Sequence, residues 1–152
     1  MKKQRGFEIV KGWENREIHF PVRKTKYSAG YDIESAEDVV IPPFSLGNSP
    51  TLVATGLKAY MQDDEVLYLY NRSSNPKKKG LILANSIGVI DKDYYGNVEN
   101  DGHIFFAFYN YKNEDILIRK GEVIGQAVFS KYLLVDEDRA NGTRKGGFGS
   151  TD

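Results

Sequence analysis

The chain has 152 residues, which is the length of one domain and is long enough to bury a hydrophobic core. Lys and Arg together number 21 and so do Asp and Glu, which argues against a protein that binds nucleic acid or anionic membrane through bulk charge but leaves a local basic patch open. The chain has no cysteine, which excludes disulfides, a thiol nucleophile and every cysteine-ligated metal site.

No apolar run approaches the ~18 residues that a membrane span needs. The basic N-terminus is followed by no apolar stretch of the kind found in secretory signals. We therefore expect a cytosolic protein that contacts no membrane.

The predicted elements are short strands separated by Gly and Pro turns. In chain order they lie at residues 17–22, 38–41, 51–55, 65–70, 103–109, 116–118 and 123–135, the last with a break. The strands at 65–70 and 103–109 are apolar on both faces, which is typical of central strands. One short helix is predicted near residues 74–79, with Pro76 in its first turn and Gly80 at its end. This pattern predicts an all-β sandwich or barrel.

The last part of the chain changes character at Asp136. It is charged and then Gly-rich, and Phe148 is its only large apolar residue. We therefore predict a β domain at residues 1–135 and a flexible C-terminal arm at residues 136–152 (hereafter the arm).

Arg72, Ser73 and Ser74 follow the strand at 65–70 directly. A guanidinium and two hydroxyls at the start of a short helix are suited to bind phosphate oxygens. The alternative is a solvated turn in which the serines cap the helix. The lysines at 77–79 are interpreted as a solvated face.

A second segment, residues 85–97, reads NSIGVIDKDYYGN. Its apolar strand ends in Asp91, which could orient a water molecule as a general base. Tyr94 and Tyr95 bring amphipathic rings to the same place. The alternative is that the aspartates form turns and the tyrosines only pack.

Two further segments carry weaker signals. Residues 121–126 read GEVIGQ, and Gln126 could contact a ligand or satisfy a backbone group in the core. Residues 144–151 read RKGGFGST, in which glycines allow close approach to phosphate and Phe148 could stack on a flat ligand. The alternative is an unstructured tail.

In their order and spacing these segments resemble one family, the trimeric dUTP diphosphatases (dUTPases). Residues 29–33 (AGYDI) resemble the first motif of that family and residues 72–74 the second. Residues 85–97 resemble the third motif, 121–126 the fourth and 146–151 the fifth. The third and fifth are the most specific.

The resemblance implies an all-β, jelly-roll-like domain of the β-clip type that assembles as a homotrimer with an exchanged C-terminal arm. It implies active sites between subunits that hydrolyse dUTP to dUMP and pyrophosphate, supplying dUMP and keeping uracil out of DNA. It also implies Mg²⁺ bound to the substrate triphosphate.

Residue roles follow from the matching motif positions. Asp91 corresponds to the general base for the attacking water, and Tyr94 to the ring that leaves no room for a 2′-hydroxyl. Asn85 would read the uracil edge, Phe148 would stack over it, and Asp32 would support the metal ion through water. The other implied substrate contacts are Arg72, Ser73, Ser74, Gly88, Val89, Ile90, Gln126, Arg144, Gly149, Ser150 and Thr151.

Two features depart from the family pattern. The arginine of the fifth motif often stands five residues before the phenylalanine, where this chain has Thr143; Arg144 stands four before it. The segment at residues 97–102 is longer than a tight hairpin needs, and the sequence gives it no role.

Two alternative functions remain open at this point. One is a catalytically weak module on the same fold that senses nucleotide or binds a protein partner. The other is an enzyme of the dCTP deaminase type, although residues 85–90 contain no glutamate for its base pocket. Direct nucleic-acid binding is not expected.

Overall fold

The computed structural model describes residues 1–47 and 49–147, in which all pairings between named strands are antiparallel. The strands in chain order are β1 Gly6–Ile9, β2 Tyr31–Glu34, β3 Val39–Ile41, β4 Thr51–Ala54, β5 Leu57–Tyr60, β6 Glu65–Asn71, β7 Leu81–Leu83, β8 Gly88–Asp91, β9 Phe105–Asn110, β10 Ile116–Ile118 and β11 Val123–Lys131. The predicted all-β fold is therefore confirmed.

The larger sheet has the strand order β2-β11-β6-β8, and the next has the order β4-β9-β7. Two strand pairs, β1-β5 and β3-β10, complete the domain. Both strands that are apolar on their two faces are central, as predicted. In β6, Val66, Leu67 and Leu69 are buried while Tyr68 and Tyr70 are half-buried.

The hydrophobic core joins the two larger sheets. Phe106 and Phe108 of β9 are fully buried, in one cluster with Leu67 of β6, Ile90 of β8 and Ile33 of β2. Inward-facing side chains of both sheets thus remove a continuous apolar layer from water, which is the main driving force for the fold.

The predicted strand at residues 17–22 is wrong. In this segment only Val22 pairs with another strand, in a single bridge to Asp32. Glu17 has a positive φ of 54°, and Pro21 lacks the N–H that a strand ladder would use. Ile18 packs against the core, whereas Phe20 and Val22 are exposed, so the apolar alternation of the segment does not mark one buried face.

Strands β1, β2, β5 and β7 were not predicted. Each has only three or four residues, too few for a clear alternation of apolar and polar side chains. Each pairs with a strand that is distant in the sequence or equally short, which no local pattern encodes.

The short helix is observed, whereas the last strand is continuous and ends four residues earlier than predicted. A single π-helical turn spans Asn75–Lys79, and Gly80 ends it with a φ of 64°, the left-handed conformation that glycine adopts without strain. Strand β11 ends at Lys131, and residues 132–135 are exposed.

Within residues 1–47 and 49–147, we find no helix with the length and apolar character needed to cross a membrane.

Candidate active site

The turn that contains Arg72 is held against β11 by hydrogen bonds. Arg72 is half-buried at the end of β6, and its Nη1 donates a hydrogen bond to the Val123 carbonyl at 3.2 Å. Asn75 is only 2% exposed, and its Nδ2 donates to Asn71 Oδ1 at 2.8 Å and to the Ile124 carbonyl at 3.0 Å. These bonds set the direction in which the turn presents Arg72.

The serines of this turn are available at the surface. Ser73 is exposed and Ser74 is half-buried. The Ser74 side chain makes no capping hydrogen bond to the helical turn that follows it. The structure thus gives no support to the interpretation in which Ser74 serves as a helix cap.

The first and fourth motifs meet beside this turn. Gln126 of β11 lies opposite Asp32 of β2 in the strand register. A Cβ atom added at Gly30 would lie 2.1 Å from Gln126 Oε1, so Gly30 leaves the space that the amide occupies. Gly125, next to Gln126, lies opposite Asn71, so Arg72, Gln126 and Asp32 form one cluster.

Asp32 carries an unsatisfied oxygen. Its Oδ2 is buried and accepts no hydrogen bond from the residues that the structure describes. The Lys24 ammonium is 3.6 Å away. Such an atom is a candidate partner for a water molecule or for a hydrated cation. Among the described residues, no group of three or more His, Asp or Glu side chains is placed to hold a metal ion by itself.

The third motif forms the end of β8 and the turn after it. Gly88 and Ile90 are buried, whereas Val89 is exposed. Asp91 lies opposite Val66 at the start of β6 and is exposed. Asn85 is exposed in the preceding turn.

Tyr94 is anchored by its hydroxyl. The residue is only 3% exposed, and its hydroxyl donates to the His103 carbonyl and accepts from Asn100 Nδ2 at 2.8 Å. Burial raises the pKa of Tyr94 above its ordinary value, so the phenol stays protonated at neutral pH. The Arg144 guanidinium lies over the ring, with Cζ 6.0 Å from the centroid.

His103 supports the Tyr94 region from the interior, a role that no local sequence pattern indicates. Its Nε2 accepts a hydrogen bond from the Gly56 N–H at 2.8 Å, and its ring meets Trp13 at 4.8 Å between centroids. Burial, with a smaller contribution from the charge of Arg16, lowers the pKa of His103 to about 4. The imidazole is therefore neutral, as its acceptor role requires.

The arm returns to the third motif of its own chain. Arg144 Nε donates to Asp93 Oδ1 at 2.8 Å, and its Nη2 forms an ion pair with Asp91. The Arg144 side chain is only 11% exposed. Phe148, Gly149, Ser150 and Thr151 lie outside the described residues.

A groove of about 790 Å³ lies between the arm and the end of β8. The lining residues are Asp63, Glu65, Asp91, Lys92, Asp93, Tyr132, Ala140, Gly142 and Arg144.

Within one chain, the predicted general base lies apart from the predicted phosphate-binding residues. Asp91, Tyr94 and Arg144 lie near the start of β6, while Arg72 follows its end. Val66, opposite Asp91, precedes Arg72 by six residues, which is about 20 Å along a strand. One chain therefore does not bring Arg72, Gln126 and Asp32 together with Asp91 and Arg144.

Comparisons with known proteins agree with this architecture. A sequence model of the dUTPase family matches residues 16–152. The deoxyuridine 5′-triphosphate nucleotidohydrolase of Lactococcus lactis is 53% identical, over 98% of this chain and 98% of the other.

Solved structures give the same result. A crystal structure of dUTPase from Streptococcus mutans is 46% identical and matches with a TM-score of 0.79, over 86% of this chain and 98% of that one. A mutant dUTPase from phage phi11 of S. aureus, described with a structural Mg(II) ion, matches with a TM-score of 0.69 over 92% of this chain and 98% of that one. At 19% identity, this second structure shows the fold alone. Taken with the family match, these findings show that the chain belongs to the dUTPase family.

Proposed function

We propose that this protein hydrolyses dUTP to dUMP and pyrophosphate, through attack of a water molecule on the α-phosphorus. The observation that carries this function is the position of Asp91, an exposed carboxylate at the end of β8 that faces a groove beneath the arm. Membership of the dUTPase family and the name of the Lactococcus lactis relative support dUTP as the substrate. The cytosolic location remains a prediction from the sequence.

In this function Asp91 accepts the proton of the attacking water. Tyr94 presents its ring to the deoxyribose, and its hydroxyl, held by His103 and Asn100, keeps the ring in place. Asn85 and the backbone around Gly88 read the uracil. Phosphoryl transfer depends mainly on positioning and on neutralisation of charge, which side chains of these types supply.

Arg72, Ser73, Ser74 and Gln126 bind the phosphates. The hydrogen bonds from Arg72 to β11 and from Asn75 to β11 hold this phosphate-binding group rigid, which supports the role. When substrate is present, Arg144 binds the γ-phosphate in place of Asp91 and Asp93, because the planar guanidinium can form two parallel hydrogen bonds to phosphate oxygens.

A complete site requires more than one copy of the chain. The separation of about 20 Å along β6 keeps the phosphate-binding cluster away from Asp91 within one chain. A homotrimer with active sites between subunits and an exchanged arm brings the two clusters together. This assembly, with its domain of residues 1–135 and its arm, is part of the proposal.

Mg²⁺ is the cofactor of the proposed reaction. The residues fit a cation held mainly by the substrate, since Asp32 offers one unsatisfied buried oxygen and the described residues form no metal cage. When bound, Mg²⁺ neutralises charge on the triphosphate. Asp32 would accept hydrogen bonds from its water molecules, and Gln126 would orient that network.

A nucleotide panel tests the function. Purified protein is incubated with dUTP, UTP, dTTP or dCTP, with Mg²⁺ or with EDTA, and monophosphate, pyrophosphate and ammonia are quantified. We expect conversion of dUTP alone, and only with Mg²⁺. Tight dUTP binding without turnover would indicate a nucleotide sensor instead, and ammonia from dCTP would indicate a deaminase.

A further inference from the structure

The loop at residues 97–102, hereafter the docking loop, is shaped by its own side chains. Asn97 Oδ1 accepts a hydrogen bond from the Glu99 N–H at 3.0 Å. Asn100 Oδ1 accepts from the Gly102 N–H at 3.1 Å, and Asn100 Nδ2 donates to the Tyr94 hydroxyl. The extra length of this segment therefore forms an ordered turn against Tyr94.

The docking loop is also fixed from outside. Asp101 Oδ2 accepts from the Lys11 N–H at 2.9 Å and from Lys58 Nζ at 2.7 Å. Asp101 itself has a positive φ of 62°, a conformation that is uncommon for a residue with a side chain. Such backbone strain persists only where surrounding contacts determine it.

The remaining polar groups of the docking loop contact the arm. Asn97 Nδ2 donates to the Gly146 carbonyl, and Glu99 Oε2 accepts from the Gly147 N–H at 3.2 Å. Gly146 and Gly147 are both buried. A Cβ atom added at Gly147 would lie 3.4 Å from Asn100 Nδ2, so the glycine backbone fits closely onto the loop.

We infer that Asn97 and Glu99 are positioning residues that hold a C-terminal arm over Asp91: the arm of the same chain in the structure described, and the arm of a neighbouring subunit in the proposed homotrimer. Arg144 lies two residues before Gly146, and it contacts Asp91 and Asp93 while the loop holds the glycines. The groove stays open beneath the docked arm, so docking is compatible with a bound ligand. The effect on turnover rests on the proposed function, whereas the docking contact itself does not.

Hydrogen exchange tests the docking contact without reference to activity. The exchange rate of the Gly147 amide is measured by NMR in the full, ligand-free protein. In Glu99→Ala we expect exchange about tenfold faster than in the unsubstituted protein, the size expected for loss of one hydrogen bond to a charged acceptor. Glu99→Gln keeps a carbonyl acceptor and should retain most of the protection.

A second variant tests the other half of the contact. Asn97→Asp keeps the oxygen that accepts from the Glu99 N–H but replaces the donor to Gly146 with a second acceptor. We expect faster exchange at Gly147 in this variant too, with an unchanged melting temperature. Glu114→Ala, in an exposed turn far from the arm, serves as the matched control.

Steady-state kinetics then connect docking with catalysis. In Asn97→Asp and in Glu99→Ala we expect kcat/KM for dUTP to fall about tenfold, mainly through KM, because neither side chain reaches the reacting atoms. Glu99→Gln should restore the value of the unsubstituted protein. A general loss of stability would lower the melting temperature and would not be rescued in this way.

Two outcomes would overturn the inference: Gly147 exchange that is equally fast in the unsubstituted protein and in both variants, or an unchanged KM despite faster exchange. Altered exchange in a protein that never turns over dUTP would instead support the docking contact and overturn the proposed function.

Discussion

Asp91 is the residue on which turnover should depend most. Asp91→Asn keeps the shape of the side chain but removes the proton acceptor, so we expect kcat to fall about 10²–10⁴-fold, as for loss of a general base. Binding of a non-hydrolysable dUTP analogue, measured by calorimetry, should persist. Asp115→Asn, at an exposed position before β10, is the control. A kcat for Asp91→Asn equal to that of the unsubstituted protein would rule out Asp91 as the base.

His103 should make stability depend on pH. Its pKa of about 4 in the folded protein lies below its ordinary value of 6.5, so the unfolded chain takes up the proton first as the pH falls. The free energy of unfolding should therefore have its full value above pH 6.5 and should decrease as the pH falls toward 4. Over this pH range, the shifted pKa of His103 should lower the free energy of unfolding by about 3 kcal/mol.

The measurement is urea denaturation at a series of pH values. His103→Gln can still accept from the Gly56 N–H but does not titrate, so its stability should fall less than that of the unsubstituted protein between pH 6.5 and 4. His19→Gln, at an exposed histidine, is the matched control. Parallel pH profiles for the unsubstituted protein and His103→Gln would contradict this account.

At the scale of elements, Gly125 and Gly30 both lie beside Gln126, but we expect an alanine at the first to affect stability and an alanine at the second to affect activity. A Cβ atom at Gly125 would lie 2.3 Å from a Phe106 ring atom and 2.8 Å from the Tyr70 carbonyl, neither of which can move freely. We expect Gly125→Ala to lower the free energy of unfolding by about 1–3 kcal/mol, the usual effect of overpacking a core.

Gly30→Ala should behave differently. The added Cβ would meet the end of the Gln126 side chain, which can rotate away. We expect a loss of stability below about 1 kcal/mol, within the range of mild substitutions, but a clear fall in kcat/KM because Gln126 leaves its place. Thermal melting and steady-state kinetics of the two variants test this difference. A large loss of stability in Gly30→Ala would show that the Gln126 side chain cannot rotate away, contrary to this prediction.

The sequence predicted some of the strands correctly, missed others and predicted one that does not form. Strands β6 and β9 are long and apolar on both faces, so the sequence predicted them and their central positions. Strand β7 has only three residues and was not predicted; it pairs with β9, and no local pattern encodes that pairing. The segment at residues 17–22 shows the opposite error, since it alternates like a strand although of its apolar residues only Ile18 packs against the core.

For the whole molecule, the separation of Arg72 from Asp91 predicts complementation between inactive variants. Arg72→Ala and Asp91→Asn should each be nearly inactive alone. When the two are unfolded and refolded together, each site between subunits needs one intact copy of each residue. Random assembly should therefore restore about a quarter of the activity of the unsubstituted protein.

The control for this experiment is refolding of each variant alone, followed by mixing without denaturation. Activity is measured as pyrophosphate release from dUTP, and size-exclusion chromatography with light scattering gives the number of subunits. A monomer, or no recovery of activity after joint refolding, would contradict a site shared between subunits.

The sequence by itself determined the all-β class, the family resemblance and the candidate residues, because these depend on side-chain type, order and spacing along the chain. The tertiary structure decided what depends on contacts between distant segments. It brought Gln126 beside Asp32, separated Arg72 from Asp91 by the length of β6, and buried His103 as a neutral acceptor. It also connected residues 97–102 to Gly146 and Gly147, since hydrogen bonds between segments almost fifty residues apart leave no periodic signal in the sequence.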